Sequence, residues 1–332
     1  MKNYKLKHLL VDSVELKCLL ISRGVRVDKS VYKWAKGRAR LDLNPVCCNC
    51  IILSCGTIVQ LTDTRLNSQK SPGILNLLRK ANDTPFILRI NKDKPILFYE
   101  KEEVDEISFP PVSNFYHQHT SLGRPYLGNV AIQGLDWLTF QSQNLMHPKD
   151  LYEIVNYAII NDGITSLQIN YMGESEENPI PAYLDIIEDV FLEEVILQIT
   201  PPKDITVTDL YIEMGTSRIA CSVEAWARAR AVTPVLEYVA QKHGSAKALS
   251  NFIIGVEAFD SLAEGTSWLA EKGVLPTASV WMPTNKSAPK LDYYRRVKEH
   301  FAELYNKYGL EPPASKGLNV CIARDIWNYS KK

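Results

Sequence analysis

From about residue 129 onward, apolar runs of strand length alternate with amphipathic runs of helix length, and this alternation constrains the fold more than any other feature. Strand-like runs at 166–169, 195–199, 218–223, 252–256 and 277–281 are each followed by a helical stretch. A chain that returns through a helix after every strand pairs its strands in parallel. The stretch Leu-Gly-Asn-Val-Ala-Ile-Gln-Gly-Leu-Asp-Trp-Leu-Thr-Phe-Gln, residues 127–141, supplies the first strand. After it, Asp150-Leu-Tyr-Glu153 reads as a capping box that opens a helix with apolar positions 151, 154, 155, 158 and 159. Six such units predict an α/β fold, a partial (β/α)6 TIM-like barrel over residues 126–332. A doubly wound open sheet satisfies the same alternation.

Residues 1–125 lack this rhythm and predict a small N-terminal α+β domain. A helix over 14–23 is closed by Gly24. Short β-like runs follow at 51–53, 57–61, 86–90 and 95–99, with a short helix around 74–78. The last two runs read as a hairpin with a four-residue loop, and Pro110-Pro111 marks the exit from the domain.

Charge and hydropathy narrow the partners. Lys plus Arg balance Asp plus Glu, 38 against 38, so no net field draws nucleic acid or an anionic membrane. Hydrophobic residues at 45% supply a sizeable core, yet no apolar run is long enough to span a bilayer and the N-terminus meets charge early. The reading is a cytoplasmic protein whose partner is a small molecule or another protein, with neither nucleic acid nor membrane.

The sequence offers three groups of candidate site residues. Cys47, Cys48, Cys50 and Cys55 put four of the seven cysteines into nine residues and could supply thiolates to zinc or to an iron–sulfur cluster. Their spacing, C-C-x-C-x4-C, matches no common zinc pair, and small buried thiols on a β-rich segment are the alternative. Glu224 and Glu257 each end a barrel strand, where the residues of such a fold face its ligand. Gly173, Glu174 and Ser175 form a turn after the second strand that could hold an amine or a phosphate through its N–H groups and carboxylate.

Several phrases resemble radical S-adenosylmethionine (radical SAM) proteins of the biotin-synthase-like kind. They are residues 127–141, Ser-Arg-Ile-Ala-Cys-Ser-Val-Glu at 217–224, Asn-Phe-Ile-Ile-Gly-Val-Glu at 251–257, Ala-Ser-Val-Trp-Met-Pro at 278–283, Leu-Asp-Tyr-Tyr-Arg-Arg-Val-Lys at 291–298 and Gly-Leu-Asn-Val-Cys at 317–321. The resemblance implies a [4Fe-4S] cluster on a CxxxCxxC loop after the first strand, with S-adenosylmethionine chelated to its open iron. It further implies that Glu224 and Glu257 contact the ribose or amino group of that ligand. The loop in question reads Ser-Gln-Asn-Leu-Met-His-Pro-Lys-Asp and holds no thiol. The expectation is therefore a pseudoenzyme or accessory protein that has lost the cluster but keeps the capacity to bind S-adenosylmethionine or a nucleoside. The alternative is an active radical enzyme that cleaves S-adenosylmethionine to a 5′-deoxyadenosyl radical, its cluster held by the unusual cysteines 47, 48, 50 and 55.

Overall fold

The computed structural model describes residues 2–36, 50–60, 84–126, 130–133, 135–141, 146–172, 178–281, 287–314 and 320–331. Two larger sheets organise them. The first belongs to the N-terminal part. A hairpin of β1 (Asn3–Leu6) and β2 (Leu9–Asp12) leads into α1 (Ser13–Arg23), followed by β3 (Arg26–Val27) and α2 (Lys29–Ala35). Then come β4 (Cys50–Leu53), β5 (Ile58–Gln60), β6 (Phe86–Asn91), β7 (Lys94–Tyr99) and β8 (Glu102–Ser108). The six-stranded sheet runs in the order β3-β6-β7-β8-β4-β5.

The β6–β7 hairpin is tighter than the sequence suggested. Asn91 pairs with Lys94, so only Lys92 and Asp93 form the turn, at φ 48° and 61°. Both central residues left-handed is the type I′ turn that matches strand twist. The helix expected around 74–78 lies outside the described residues.

The second sheet carries the alternation. β9 (Val130–Gln133) and β10 (Trp137–Gln141) are followed by α3 (Pro148–Asp162), β11 (Ser166–Tyr171), α4 (Ile180–Ile187), β12 (Glu194–Ile199) and α5 (Val207–Glu213). β13 (Arg218–Ala220), α6 (Thr233–His243), β14 (Ala248–Ile254), α7 (Phe259–Glu271), β15 (Leu275–Val280), α8 (Leu291–Tyr308) and α9 (Ala323–Ser330) complete it. The strand order is β15-β14-β13-β12-β11-β10-β9, parallel from β10 to β15, with only β9 antiparallel at the edge. Strictly sequential order removes the doubly wound alternative, which needs a reversal of strand order.

Two sequence expectations are corrected here. Residues 127–141 are not one strand: the polypeptide turns at Leu135-Asp136, and β9 folds back on β10. The capping box at Asp150 and Glu153 is not used either. α3 begins three residues, nearly a full turn, earlier, with His147 Nδ1 accepting from Lys149 N–H (3.2 Å) and Pro148 at the first helical position, where its missing N–H is harmless. Glu153 instead accepts from Ser121 N–H at 2.7 Å, and Asp150 lies 3.4 Å from Arg124 Nε.

Charged side chains bind the N-terminal part to the second sheet. At the start of α1 a true capping box forms, Asp12 accepting from Glu15 N–H (3.0 Å) and Glu15 from Asp12 N–H (3.3 Å). The same two carboxylates receive Lys298 of α8, which donates to Asp12 and, at 2.7 Å, to Glu15. Lys17 donates to Cys321 O and to Asp325, each at 2.7 Å. The buried apolar residues form one cluster from Tyr4 to Ile326.

Candidate functional site

The second sheet has one polar face, and that face defines the site. Register and the two-residue strand period place Thr139, Gln168, Gln198, Ser222, Asn251 and Ser279 on the same side. The helical crossovers cover the other side. The polar groups join across strands: Gln168 Nε2 donates to Asn170 Oδ1 (2.6 Å) and Gln198 Oε1 (2.8 Å), and Gln198 Nε2 donates to Ser222 Oγ (3.2 Å). Asn251 Oδ1 accepts from Ser279 (2.9 Å) and Thr277 (3.3 Å).

Gln168 of β11 and Ser279 of β15 line a single cavity of about 230 Å³. Four strand spacings laid flat would separate them by roughly 19 Å, so the sheet curls and the polar face is concave. Toward the amino ends of the strands, Arg218 Nε meets Glu194 Oε1 at 2.5 Å. Ile196, Ala220, Leu249, Pro313 and Val320 line the same space beside the amides and hydroxyls, so its wall is mixed and suits a ligand with both polar edges and an apolar face.

Glu224 stands at the rim of this cavity. Its φ is +61°, a left-handed conformation that few non-glycine residues adopt. The backbone is fixed from both sides by β14: Glu224 N–H donates to Asn251 O and Glu224 O accepts from Ile253 N–H, each at 2.9 Å. Its carboxylate is exposed and has no hydrogen bond or ion pair to a described residue. Among the described residues that line the cavity, Glu224 is the one ionisable group.

Glu257 is placed differently. Its carboxylate accepts from Trp226 N–H at 3.1 and 3.2 Å and from Ser261 Oγ at 2.6 Å. It therefore ties the turn entering the 3-10 helix Trp226–Ala231 to the start of α7 and is not directed at the cavity. The Trp226 ring rests on Gly265 of α7, where an added Cβ would lie only 2.6 Å from it. Gly173, Glu174 and Ser175 lie outside the described residues.

Of the four candidate cysteines, the two described ones, Cys50 and Cys55, do not converge. Cys47 and Cys48 lie outside the described residues. Cys50 is buried at the first position of β4, whereas Cys55 is exposed in the turn beyond its far end. Three strand steps alone, about 10 Å, exceed what two thiolates on one ion permit. Burial pushes the thiols of Cys18, Cys221 (to about 12) and Cys321 upward, which disfavours the thiolate an iron cluster requires. No group of three or more His, Cys, Asp or Glu side chains among the described residues could hold a metal ion. The described pair, Cys50 and Cys55, does not fit a shared [4Fe-4S] cluster.

A second, larger cavity of about 850 Å³ opens where the curled sheet leaves a seam between β10 and β15. Trp137 of β10, Thr277 of β15, Lys17 of α1 and the tail around Cys321 line it. The tail seals the edge of β15 by an antiparallel bridge, Val280 N–H to Val320 O at 3.0 Å and Ile322 N–H to Ala278 O at 2.8 Å. Sequence reasoning missed this seam, although Trp137 and the Lys17–Asp325 pair (2.7 Å) that frame it are ordinary residues in ordinary elements. Only their juxtaposition is informative.

No helix among the described residues is long and apolar enough to cross a membrane. No protein-family model matches the chain, and no curated protein matches it. Among solved structures it is similar to active domain 2 of a chitinase from Pyrococcus furiosus carrying catalytic-site mutations, at 13% identity and TM-score 0.37. It is similar at 12% identity and TM-score 0.37 to the catalytic domain of hyperthermophilic chitinase from Pyrococcus furiosus. Each likeness covers 50% of this chain and 69% of the other, too slight to set fold or activity. The resemblance to radical SAM proteins is corrected by these findings: no family model and no curated protein matches the chain, and neither solved structure named above is a radical SAM protein.

Proposed function

We propose that the chain is a small-molecule-binding protein, a pseudoenzyme or accessory factor rather than a redox catalyst, which holds a nucleoside-sized ligand over the carboxyl ends of β11 to β15. On this reading the six strand–helix units form a partial TIM-like barrel whose mouth is the 230 Å³ cavity. Barrels of that kind usually fill their interiors with layers of branched aliphatic side chains. An interior in which linked amides and hydroxyls stand among Ile196, Ala220, Leu249 and Val320 forgoes part of that packing and favours a ligand with polar edges and an apolar face, as a nucleoside has. The volume lies below the roughly 300–1,000 Å³ of sites for drug-sized molecules. Of the two ligands the sequence suggested, the nucleoside fits this size better than S-adenosylmethionine.

The observation that carries the proposal is Glu224: strained at φ +61°, fixed by β14 and, among the described residues, unpaired at the rim of the cavity. Such strain costs of order 1–3 kcal/mol and persists where the position serves a purpose. A carboxylate there accepts hydrogen bonds from the two neighbouring hydroxyls of a ribose, as acidic residues do in dinucleotide sites.

Calorimetric titration with adenosine, cytidine and S-adenosylmethionine tests this. Saturable nucleoside binding is expected, weakened about tenfold or more in Glu224→Gln by loss of a hydrogen bond to a charged group. Glu224→Gly should weaken binding similarly while gaining about 1 kcal/mol of stability as the strain relaxes. Absence of heat and of any thermal shift with all three ligands would sink the proposal.

A further inference from the structure

The polar side chains that join across the concave face satisfy one another only in part. Gln168 Nε2 lies between two amide oxygens, Asn170 Oδ1 at 2.6 Å and Gln198 Oε1 at 2.8 Å, so Gln168 Oε1 is the atom left over. It accepts from no described donor. Gln198 Nε2 gives one hydrogen to Ser222 Oγ at 3.2 Å and keeps a second. Ser222 accepts that bond, and its own hydrogen meets no described acceptor. The hydroxyls of Ser279 and Thr277 both donate to Asn251 Oδ1, which leaves the two hydrogens of Asn251 Nδ2 without an acceptor among the described residues. Gln168, Gln198, Ser222 and Asn251 all line the cavity of about 230 Å³, and neither Gln168 Oε1 nor Asn251 Nδ2 is sealed from solvent.

These unmet groups have an order. Gln168 is on β11, Gln198 on β12, Ser222 just past β13 and Asn251 on β14, and those strands are neighbours in that sequence. From β11 to β14 the groups therefore run acceptor, donor, donor, donor. Two residues nearer the amino end on three of these strands, Ile196, Ala220 and Leu249 give the same cavity an apolar side. A flat ring whose edge presents donor, acceptor, acceptor satisfies the polar groups while its face covers the apolar ones.

Cytosine has that edge: the 4-amino group, the bare ring nitrogen N3 and the keto oxygen O2. Uracil would set its O4 against Gln168 Oε1 and its N3–H against Gln198 Nε2–H. Guanine would set its N1–H against a donor, and adenine offers only a C–H beyond its amino group and N1. The sugar follows from the same alignment. O2 of cytosine adjoins the nitrogen that carries the ribose, so the ribose lies on the side of Ser222 and Asn251. Glu224 stands two residues beyond Ser222, its N–H bonded to Asn251 O at 2.9 Å. Base edge and ribose carboxylate thus call for one and the same pose.

We propose that the cavity selects a cytosine nucleoside: Gln168 Oε1 accepts from the 4-amino group, Gln198 Nε2 donates to N3, and Ser222 Oγ and Asn251 Nδ2 donate to O2. This rests on the nucleoside reading of the cavity and adds the base to it. A site built on hydrogen bonds discriminates steeply, because the wrong base leaves polar groups unpaired or facing their like.

The full-length chain is titrated by calorimetry with cytidine, uridine, adenosine and pyrimidin-2-one riboside, which keeps N3 and O2 but lacks the 4-amino group. Cytidine should bind at one site per chain, at least about tenfold more tightly than uridine and more tightly than the other two. Gln168→Met keeps the length of the side chain and removes the acceptor, so the preference for cytidine over uridine should fall below about threefold. A smaller preference over uridine in the parent, or adenosine binding as tightly as cytidine, overturns the base assignment and leaves the nucleoside reading standing. A preference that Gln168→Met leaves intact does the same. Pyrimidin-2-one riboside binding as tightly as cytidine also overturns it, and this comparison on the parent decides the matter if the variant does not fold. Binding of none of the four overturns both readings.

Discussion

Replacing Lys298 by methionine removes one charge from the most deeply buried ion cluster and leaves two carboxylates behind. Asp12 and Glu15 are 7% and 5% exposed, and both receive the Lys298 ammonium. Methionine keeps most of the side-chain stem, so the loss is mainly electrostatic. Removing one partner of a buried pair destabilises by about 3–5 kcal/mol, because the remaining charge is uncompensated. At about 2–4 °C per kcal/mol, the melting temperature should fall by roughly 6–20 °C. Differential scanning fluorimetry with urea titration at neutral pH measures this. Adding Asp12→Asn and Glu15→Gln to Lys298→Met should recover much of the loss, since the charge that then remains there is Arg295, 3.4 Å from Glu15 and 40% exposed, which water can solvate. The alkaline branch checks the sign. Burial opposes the charge on Lys298, but hydrogen bonds and charges from Asp12 and Glu15 outweigh it and hold the ammonium above the usual lysine range. Its contribution is therefore complete below about pH 10.4 and is lost as pH rises through the higher folded value. The gap between parent and variant should stay level from neutral pH upward and narrow only beyond that point. A loss below about 1 kcal/mol at neutral pH would refute the reasoning, because it would mean that the carboxylates are solvated after all.

Two further perturbations test the packing around the site. Gly265→Ala in α7 would ordinarily gain up to about 1 kcal/mol of helix propensity. Here the new Cβ would lie 2.6 Å from the Trp226 ring, so the sign should reverse to a loss of about 1–3 kcal/mol in urea unfolding; a gain would show that the ring moves freely. Asp209 accepts from Lys242 (2.6 Å), His243 (2.6 Å) and Tyr238 (2.8 Å), which tie α5 to α6. The Lys242 hydrogen bond leads the effects that lower Asp209 to about 2. Its stabilisation is present above the unfolded value near 3.9 and disappears as pH falls through about 2. Urea midpoints of Asp209→Asn should thus lie below those of the parent at neutral pH and converge with them in strong acid; a gap that persists there contradicts the assignment.

The alternation of strands and helices was legible because each outward face is apolar at the right period. The helix over 14–23 closed by Gly24 and the last long helix, Leu291–Tyr308, were also readable from their apolar faces and terminal glycines. β14 shows where the signal faded: the run 252–256 looked like the strand, but the strand is Ala248–Ile254. Its middle residues are polar on both sides, Asn251 on the concave face and Ser250 on the helix side, so the apolar period was masked where function is proposed. The β9–β10 hairpin escaped for a similar reason, since its turn interrupts what looks like one continuous apolar stretch. At the candidate site, Glu224 was found from its position at a strand end. Glu257 occupied an equivalent position, yet its carboxylate caps backbone and hydroxyl groups nearby. Nothing in the sequence separates the two glutamates; the difference lies in which one meets local donors. The resemblance to radical SAM proteins rested on phrases around such strands.

The bond from Lys17 to Cys321 spans 304 positions of sequence. Contacts of that separation form slowly, because chain-closure entropy is lost before they contribute anything. During synthesis the six strand–helix units can dock in succession as they leave the ribosome, each against the one before it. α1, made first, has no partner for Lys17 until the tail is made last. The seam therefore matures after the sheet, and a chain interrupted before Val320 would carry an assembled sheet with an unfinished flank that leaves the edge of β15 uncovered. That exposed flank gives chaperones and proteases a means of telling an incomplete copy from a finished one.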